Sequence, residues 1–343
     1  MADAARKPLH IPAAWTAAGL AKSDRWEYRL SPSEVAELDM ALGVAKSRGL
    51  TDRTLTRAAF PLPTLAPTLG RMLRELEDGC GVMLVRGLPV MRWGQTDSQL
   101  VYAGFGVHFG ELAAQNAAGN YLDHVRATGR DWDKDPTVRG YQTTSFLPFH
   151  CDKADVVGLL CLHGAKSGGL SCIASSAAIH NAALERRPDL AEALYAPLYV
   201  DLRGEEPKGW KPYYLQPMYS TYKGRIFGRM GRKYVESAQR FPEVPRLTAQ
   251  QIEAMEYVEA LGHSDEFRFD MVFEPGDIQF LNNHVVMHSR TNYEDYPEPE
   301  RWRHLVRMLV FTDGYRDVPD YVKHINDVTR WWRDNPRIQA AAE

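Results

Sequence analysis

Cysteine is scarce in this chain. Four residues in 343 (Cys80, Cys151, Cys161 and Cys172) are too few for a disulfide scaffold, and no two of them form a C-x-x-C pair, which excludes a zinc ribbon or a thioredoxin-type motif. Long apolar runs are missing as well. Nothing approaches the roughly 18 consecutive apolar residues of a membrane span, and the opening MADAARKPLHIPAAW lacks the apolar stretch of a secretory signal. Neither sign of charge dominates: 41 Lys and Arg face 44 Asp and Glu, a net charge of −3, which argues against a protein made to coat nucleic acid or an anionic membrane. Fixed-period repeats and low-complexity tracts are absent. These absences point to a cytoplasmic protein with a small-molecule partner, no nucleic acid and no membrane; they leave a homo-oligomer open.

What is present is ample material for a core, with 44% hydrophobic and 25% charged residues. The first 25 or so residues read as an N-terminal arm, and residues 26–343 as a single catalytic domain with an N-terminal helical layer and a core over about 81–315. Ser31-Pro32-Ser33-Glu34 opens a helix, with Ser at the cap, Pro at the first helical position and Glu three residues after the cap. Val35, Leu38, Ala41, Leu42 and Ala45 then keep helical spacing up to Gly49. A second helix is expected over Thr64–Leu76, a short glycine-bounded strand in GVMLVRGLPV (81–90), and a third helix from about Asp97 to Phe109. Beyond residue 110 most of the chain reads as short strands between Gly, Pro, Asn and Asp clusters, interrupted by helices over Ser176–Leu194 and Thr248–Leu261. This makes an α+β chain with a sandwich or barrel of short strands. Ala127–Leu147 and Arg203–Pro217 read as long loops, of a length that usually serves as a lid.

The chemistry gathers around FLPFHCD (146–152). On an extended backbone residues i and i+2 face the same side, so His150 and Asp152 can approach one ion together. A third ligand must come from far along the chain, and NNHVVMH (282–288) offers His284 or His288. Two imidazoles and one carboxylate on one face of an octahedron leave three positions open, as in non-haem Fe(II) oxygenases; zinc hydrolases also use two His and a carboxylate, so the triad alone does not settle the metal. In RWRHLVRMLVF (301–311), Arg303 and Arg307 lie four apart and share a strand face with Leu305 and Leu309. Two guanidiniums on an otherwise apolar face call for an anion, and the arginine fork suits a carboxylate. In KSGGLS (166–171) a glycine pair lets backbone approach a ligand closely and Ser171 supplies a hydroxyl.

In order and spacing these pieces resemble the taurine dioxygenase (TauD/TfdA-like) family of Fe(II)- and 2-oxoglutarate-dependent oxygenases. The resemblance runs from about Gly81 to Phe311 and rests on GVMLVRGLPV, the H-x-D at His150 and Asp152, SGGLS, GDIQFLNNHVVMHSR and the closing RHLVR. It implies a double-stranded β-helix (jelly roll) with flanking helices and the metal inside its mouth. It implies further that His150, Asp152 and His288 bind iron, His288 standing at the end of an N-x4-H stretch begun by Asn283. Arg303 would pair with the distal carboxylate of 2-oxoglutarate, helped by Ser171, with Arg307 near the keto-acid end or the substrate. His284 stands where relatives commonly carry arginine, and extra residues over 293–299 separate His288 from the arginines; both are departures from the family pattern.

The activity so implied is oxidation of a C–H bond of a small organic molecule, by default hydroxylation, with O2 and 2-oxoglutarate consumed and succinate and CO2 released. Gln115, Asn116 and Asn120 are candidate substrate contacts. Tyr213, Tyr214 and Tyr219 could face an apolar substrate, and Phe146, Leu147 and Phe149 an apolar wall beside the metal pair. Two alternatives are a zinc-dependent hydrolase on a jelly-roll scaffold, and a cupin-like sensor that binds a small acid without turning it over.

Overall fold

A computed structural model describes residues 7–129 and 139–337. The stretch expected as an arm, in its described part, lays Ala13, Trp15 and Leu20 into the core; the Trp15 indole donates to the Cys80 carbonyl at 2.8 Å and a short helix, α1 (Ala17–Ala21), follows. The capping box at Ser31 forms as the sequence implies: the Ser31 hydroxyl accepts from the Glu34 amide at 3.3 Å and the Glu34 carboxylate accepts from the Ser31 amide at 2.8 Å, opening α2 (Pro32–Ser47). Glu37, buried on α2, accepts from the amides of Thr64 and Leu65. These two residues are held as a cap, which is why α3 runs Ala66–Asp78 rather than from Thr64. Helix α4 spans Val90–Phe109 and begins seven residues before the expected start; Gly94, at φ 74°, kinks it and hides its first turn from a periodicity reading.

Behind this layer stands a large sheet whose strands run β1 (Glu27–Arg29), β2 (Val82–Arg86), β14 (Ile278–Asn282), β6 (Val156–His163), β17 (His304–Thr312) and β3 (Gly110–Leu112), with β4 (Leu122–Val125) also on β17. Its central strands are buried on both faces, since one side meets the helices and the other the interior of the roll. The facing sheet orders β13 (Phe269–Met271), β8 (Ser171–Ser175), β15 (Val286–Arg290) and β5 (Leu147–His150), all antiparallel. Two sheets joined by long crossovers make the double-stranded β-helix. Smaller pairs, β9 (Leu198–Asp201) with β10 (Tyr213–Gln216), β11 (Tyr219–Tyr222) with β12 (Arg225–Gly228), and β7 (Ser167–Gly168) with β16 (Tyr293–Glu294), line its rim.

Three expectations need correction. Ser176–Leu194 is two helices, α5 (Ser176–Arg186) and α6 (Ala191–Tyr195), because Pro188 supplies no amide and breaks the run with a 3-10 turn. The stretch Arg203–Pro217 is not loop throughout: its last part is β10. The stretch Ala127–Leu147 contains a 3-10 turn at Gly140–Gln142 and ends where β5 begins; residues 130–138 of it lie outside the described residues. The expected α8 (Ala249–His263), capped by Thr248 and Gln251, packs on β5 and β8 of the second sheet, while α7 (Arg232–Ala238) packs on β9. Beyond the expected core, α9 (Asp320–Asp334) buries Val322, Ile325, Val328 and Trp332. Among the described residues no helix is long and apolar enough to cross a membrane.

Candidate metal centre and its anion sites

Cross-strand pairing brings the distant ligands together. In the β5–β15 ladder His150 lies directly opposite His288, so the two imidazoles stand side by side with ring centroids 4.2 Å apart. Asp152 follows two residues after His150, and Asn283 pins it there: the Asn283 side-chain oxygen accepts from the Asp152 amide at 3.1 Å while its nitrogen donates to the Lys153 carbonyl at 3.1 Å. One ligand atom from each of His150, Asp152 and His288 lies within 4.8 Å of the others.

The donor set fits a divalent metal. The Nδ1 of His150 is 2.9 Å from the Pro148 carbonyl; donating there leaves Nε2 with its lone pair toward the cluster. Arg307 Nη1 donates to Asp152 Oδ1 at 2.9 Å, whereas Oδ2, 3.6 Å from His288 Nε2, is buried without a hydrogen-bond partner. Burial pushes the His288 imidazolium down to about 3, with the neighbouring His150 adding to the effect, and burial likewise lowers His150. Burial alone would raise the Asp152 carboxyl, but Arg307 and the two imidazoles outweigh it and hold it below the ordinary carboxylate range. Two neutral imidazoles and an ionised carboxylate are the protonation states metal binding requires. His284 is excluded from the cluster: fully buried, its Nε2 pairs with Asp155 Oδ1 at 2.9 Å, and Asp155 also accepts from the Thr312 amide at 2.9 Å.

The arginines divide the work. Strand β17 is paired on both sides, by β6 and by β3 and β4, so Arg307 is interior rather than on an edge, and Arg303, the residue just before the strand, is buried as well. Besides Asp152, Arg307 donates Nε to Gln115 Oε1 at 2.7 Å and stands 3.7 Å from Asp123. Its nearest protein anion is thus the Asp152 carboxylate, and its side chain lines the same cavity. Arg303 is 4% exposed, has no carboxylate within ion-pair distance among the described residues, and leaves Nη1 without a hydrogen bond. Arg290, which sequence reasoning missed, is equally buried, with Nε and Nη1 unpartnered and Nη2 on the Thr143 carbonyl at 2.9 Å. Both guanidiniums flank the Tyr293 ring, at 5.2 and 4.8 Å from its centroid. Burial, and after it the like charge of Arg303, pushes Arg290 down to about 10. Its signal was available: two residues past His288 on one strand, it faces the same side.

Ser171 sits opposite Arg290 in the β8–β15 ladder and lines the same cavity, its hydroxyl donating to Gln279 at 3.1 Å. Within the glycine pair before it, Gly169 makes room for the Arg303 side chain. Gly168 and Gly169 have φ 70° and 69°, and a Cβ on Gly169 would stand 3.1 Å from Arg303 Nε.

The cavity of about 170 Å³ opens over the triad and carries Val125, Leu159, Phe273 and Leu305 on its apolar side. Of the candidate substrate contacts Gln115 reaches it, though its amide nitrogen is spent on the Tyr121 and Arg307 carbonyls at 2.8 and 2.7 Å. Asn116 and Asn120 are not brought there; Asn116 Oδ1 accepts from the amides of Ala118 and Asn120 and closes a polar turn. Tyr214, Leu147 and Phe149 line the cavity. Tyr213 packs against Phe241 and Tyr219 against His180, while Phe146 is largely exposed beside His263. Residue type alone does not separate a core aromatic from a cavity aromatic. Lys153 and Arg229 also line the cavity; burial pushes the Lys153 ammonium down to about 8.

Residues 46–309 match the family model described as taurine catabolism dioxygenase TauD, TfdA family. Among curated proteins, FR-33289 synthase of Streptomyces rubellomurinus (strain ATCC 31215) is 32% identical over 93% of this chain and 95% of its own length. The taurine hydroxylase-like protein SAT17 of Stachybotrys chartarum (strain CBS 109288 / IBT 7711) is 29% identical over 89% of this chain and 80% of its own. Among solved structures, asparagine oxygenase in complex with Fe(II), 2S,3S-3-hydroxyasparagine and succinate superposes with a TM-score of 0.64 at 17% identity, covering 84% of this chain and 94% of that one. The non-heme iron oxygenase OrfP with Fe and alpha-ketoglutaric acid gives 0.59 at 17% identity over the same shares.

Proposed function

The chain belongs to the TauD, TfdA family and is a 2-oxoglutarate-dependent non-haem iron oxygenase; from that premise we propose that His150, Asp152 and His288 hold its Fe(II), that Arg303, Arg290 and Ser171 hold its 2-oxoglutarate, and that it oxidises a C–H bond of a small organic molecule. The observation that carries the reading is the buried Asp152 Oδ2, unpartnered beside two imidazoles kept neutral by burial. When bound, iron supplies with O2 and 2-oxoglutarate the oxidising power that ends in succinate, CO2 and an oxidised substrate.

The chain's own groups supply position and charge. His150 is oriented through Pro148, and Asp152 through Arg307, Asn283 and Gln115 behind it, so the open side of the triad faces the cavity. Arg303 and Arg290 stand close as like charges with no carboxylate within ion-pair distance among the described residues, and the single carboxylate at a dicarboxylate's far end relieves their repulsion by pairing with both. The apolar cavity wall keeps water from the reacting groups. Hydroxylation is the default outcome. The amino acids acted on by asparagine oxygenase and OrfP make small polar metabolites the natural first panel. Iron-loaded protein is incubated with 2-oxoglutarate and that panel, and succinate and product are scored by mass spectrometry. Substrate-stimulated succinate that vanishes in His150→Ala and Asp152→Ala is expected; full turnover in Asp152→Ala would refute the ligand assignment.

A further inference from the structure

A second group of imidazoles stands outside the cavity and has no part in holding iron or cosubstrate. In β4 and β17 successive residues face opposite sides. Val125 and Leu305 turn inward and line the cavity, so His124 and His304 turn outward, to the side on which Val306 and Met308 pack against the helices. His124 is paired with Val306, the next residue after His304 on that face. Its Nδ1 is 2.7 Å from His304 Nε2, and the ring centroids are 4.9 Å apart. His163 ends β6 directly opposite His304 in the other ladder of β17, where facing Cβ atoms are about 4.5–5.5 Å apart. None of the three histidines lines the cavity.

Two ring nitrogens at hydrogen-bond distance share one proton, donated by one ring and accepted by the other. A metal ion can take the place of that proton. With metal–nitrogen bonds of about 2.0–2.1 Å at tetrahedral angles, two ligand nitrogens stand about 3.3 Å apart, so the pair opens from 2.7 Å by about 0.6 Å. His124 has that freedom: it is exposed, and its Nε2 makes a long 3.5 Å contact with the Gln99 amide. His304, 6% exposed, is the fixed member. Burial, and after it His124, pushes the His304 imidazolium down to about 4, and burial lowers His124, so both rings are neutral near pH 7, as metal binding requires. The charged groups that reach the pair oppose one another, Arg126 acting on both rings and Asp123 on His124.

The third position is less formed. Among the described residues only the iron triad draws three ligand atoms within 4.8 Å of one another, so half-buried His163 has to turn in from the facing strand. An all-imidazole set suits zinc and copper, which bind nitrogen ligands more tightly than Fe(II) does, and it lacks the carboxylate that marks the triad.

We infer that His124 and His304, with His163 turning in as third ligand, form a second metal site on the outer face of the sheet, taking Zn2+ or Cu2+ in place of the proton the first two share. The ion ties β4 to the first residue of β17, next to Arg303, from outside the cavity.

The test titrates the tag-free full chain, stripped of metal, with zinc chloride at about pH 7.5 in a calorimeter. Two equivalents are expected in the wild type. One is lost in His288→Ala; the other is lost in His124→Gln and in His304→Leu and weakens at least tenfold in His163→Gln. His124→Gln alters an exposed side chain and keeps the test clear of folding defects. Copper(II) added to the His288→Ala protein should show an electron paramagnetic resonance spectrum with nitrogen couplings from at least two imidazoles, which His124→Gln removes. A wild type that takes up one equivalent, lost with His288, overturns the proposal, and so does a second equivalent that survives both His124→Gln and His304→Leu. Unchanged affinity in His163→Gln overturns the third ligand. A single equivalent that His124→Gln removes and His288→Ala spares would count against the triad while upholding this site.

Discussion

Replacing Arg303 by methionine separates a residue kept for a ligand from one kept for the fold. Arg290 and Arg303 stand 4.8 and 5.2 Å from the centroid of the same ring, so their guanidinium carbons are at most 10.0 Å apart. At an effective dielectric of 20 that separation costs at least about 1.7 kcal/mol of repulsion. Burial of an unpaired guanidinium adds to this, while loss of the contact with Tyr293 gives back about 1 kcal/mol. Arg303→Met is therefore expected to leave the apo-protein as stable as the wild type, or up to about 2 kcal/mol more so. Its 2-oxoglutarate affinity falls about 30- to 1,000-fold, from loss of a charge-assisted pair of about 2–4 kcal/mol. Urea unfolding without ligand gives the first quantity and anaerobic titration of the Fe(II) protein the second. An apo-variant destabilised by more than about 1 kcal/mol, or one that binds 2-oxoglutarate normally, would refute the reasoning and make Arg303 a structural residue.

Other outcomes follow from the same geometry. His284→Leu should keep metal affinity but lose about 3–5 kcal/mol of stability, because Asp155 is left as a buried charge without its imidazole partner; His288→Ala should do the reverse, and a metal titration beside urea unfolding distinguishes them. His304 is pushed down to about 4 by burial and by His124, whose Nδ1 is 2.7 Å from its Nε2. Its folded pKa lies below the unfolded value near 6.5, so the unfolded chain binds the extra proton between these limits. Stability is complete above pH 6.5 and falls toward pH 4, by about 2 kcal/mol at pH 5. Denaturation curves across that range should show a shallower fall of stability in His304→Leu, by about that amount, the remaining slope coming from other histidines that burial lowers, among them His150 and His288.

Much of the site was legible because its chemistry is local. An H-x-D at a strand end, glycines before a hydroxyl, and arginines spaced by the strand period each state a face. The identity of the third ligand was not local: His284 and His288 differ only in which neighbour they meet, Asp155 or His150, and that is decided by the β5–β15 register. Arg290 could have been read from its spacing to His288. Arg229 had no such signal, since its contact with the Asp152 carbonyl spans 77 residues. In the fold, a capping box and helical spacing found α2, and the reading missed where glycine bends α4 and where proline divides α5 from α6. The polar turn at Asn116 and Asn120 looked like a binding loop because hydrogen-bonding side chains that close a turn and those that meet a ligand are the same residues.

The convergence of His150, Asp152 and His288 on one ferrous ion that also takes 2-oxoglutarate is tested most directly by anaerobic absorption spectroscopy. Adding Fe(II) and 2-oxoglutarate to the wild-type protein should raise a visible charge-transfer band, which His150→Ala, Asp152→Ala and His288→Ala each abolish and His284→Leu retains. A band that survives loss of Asp152, or one that depends on His284 instead of His288, would contradict the account.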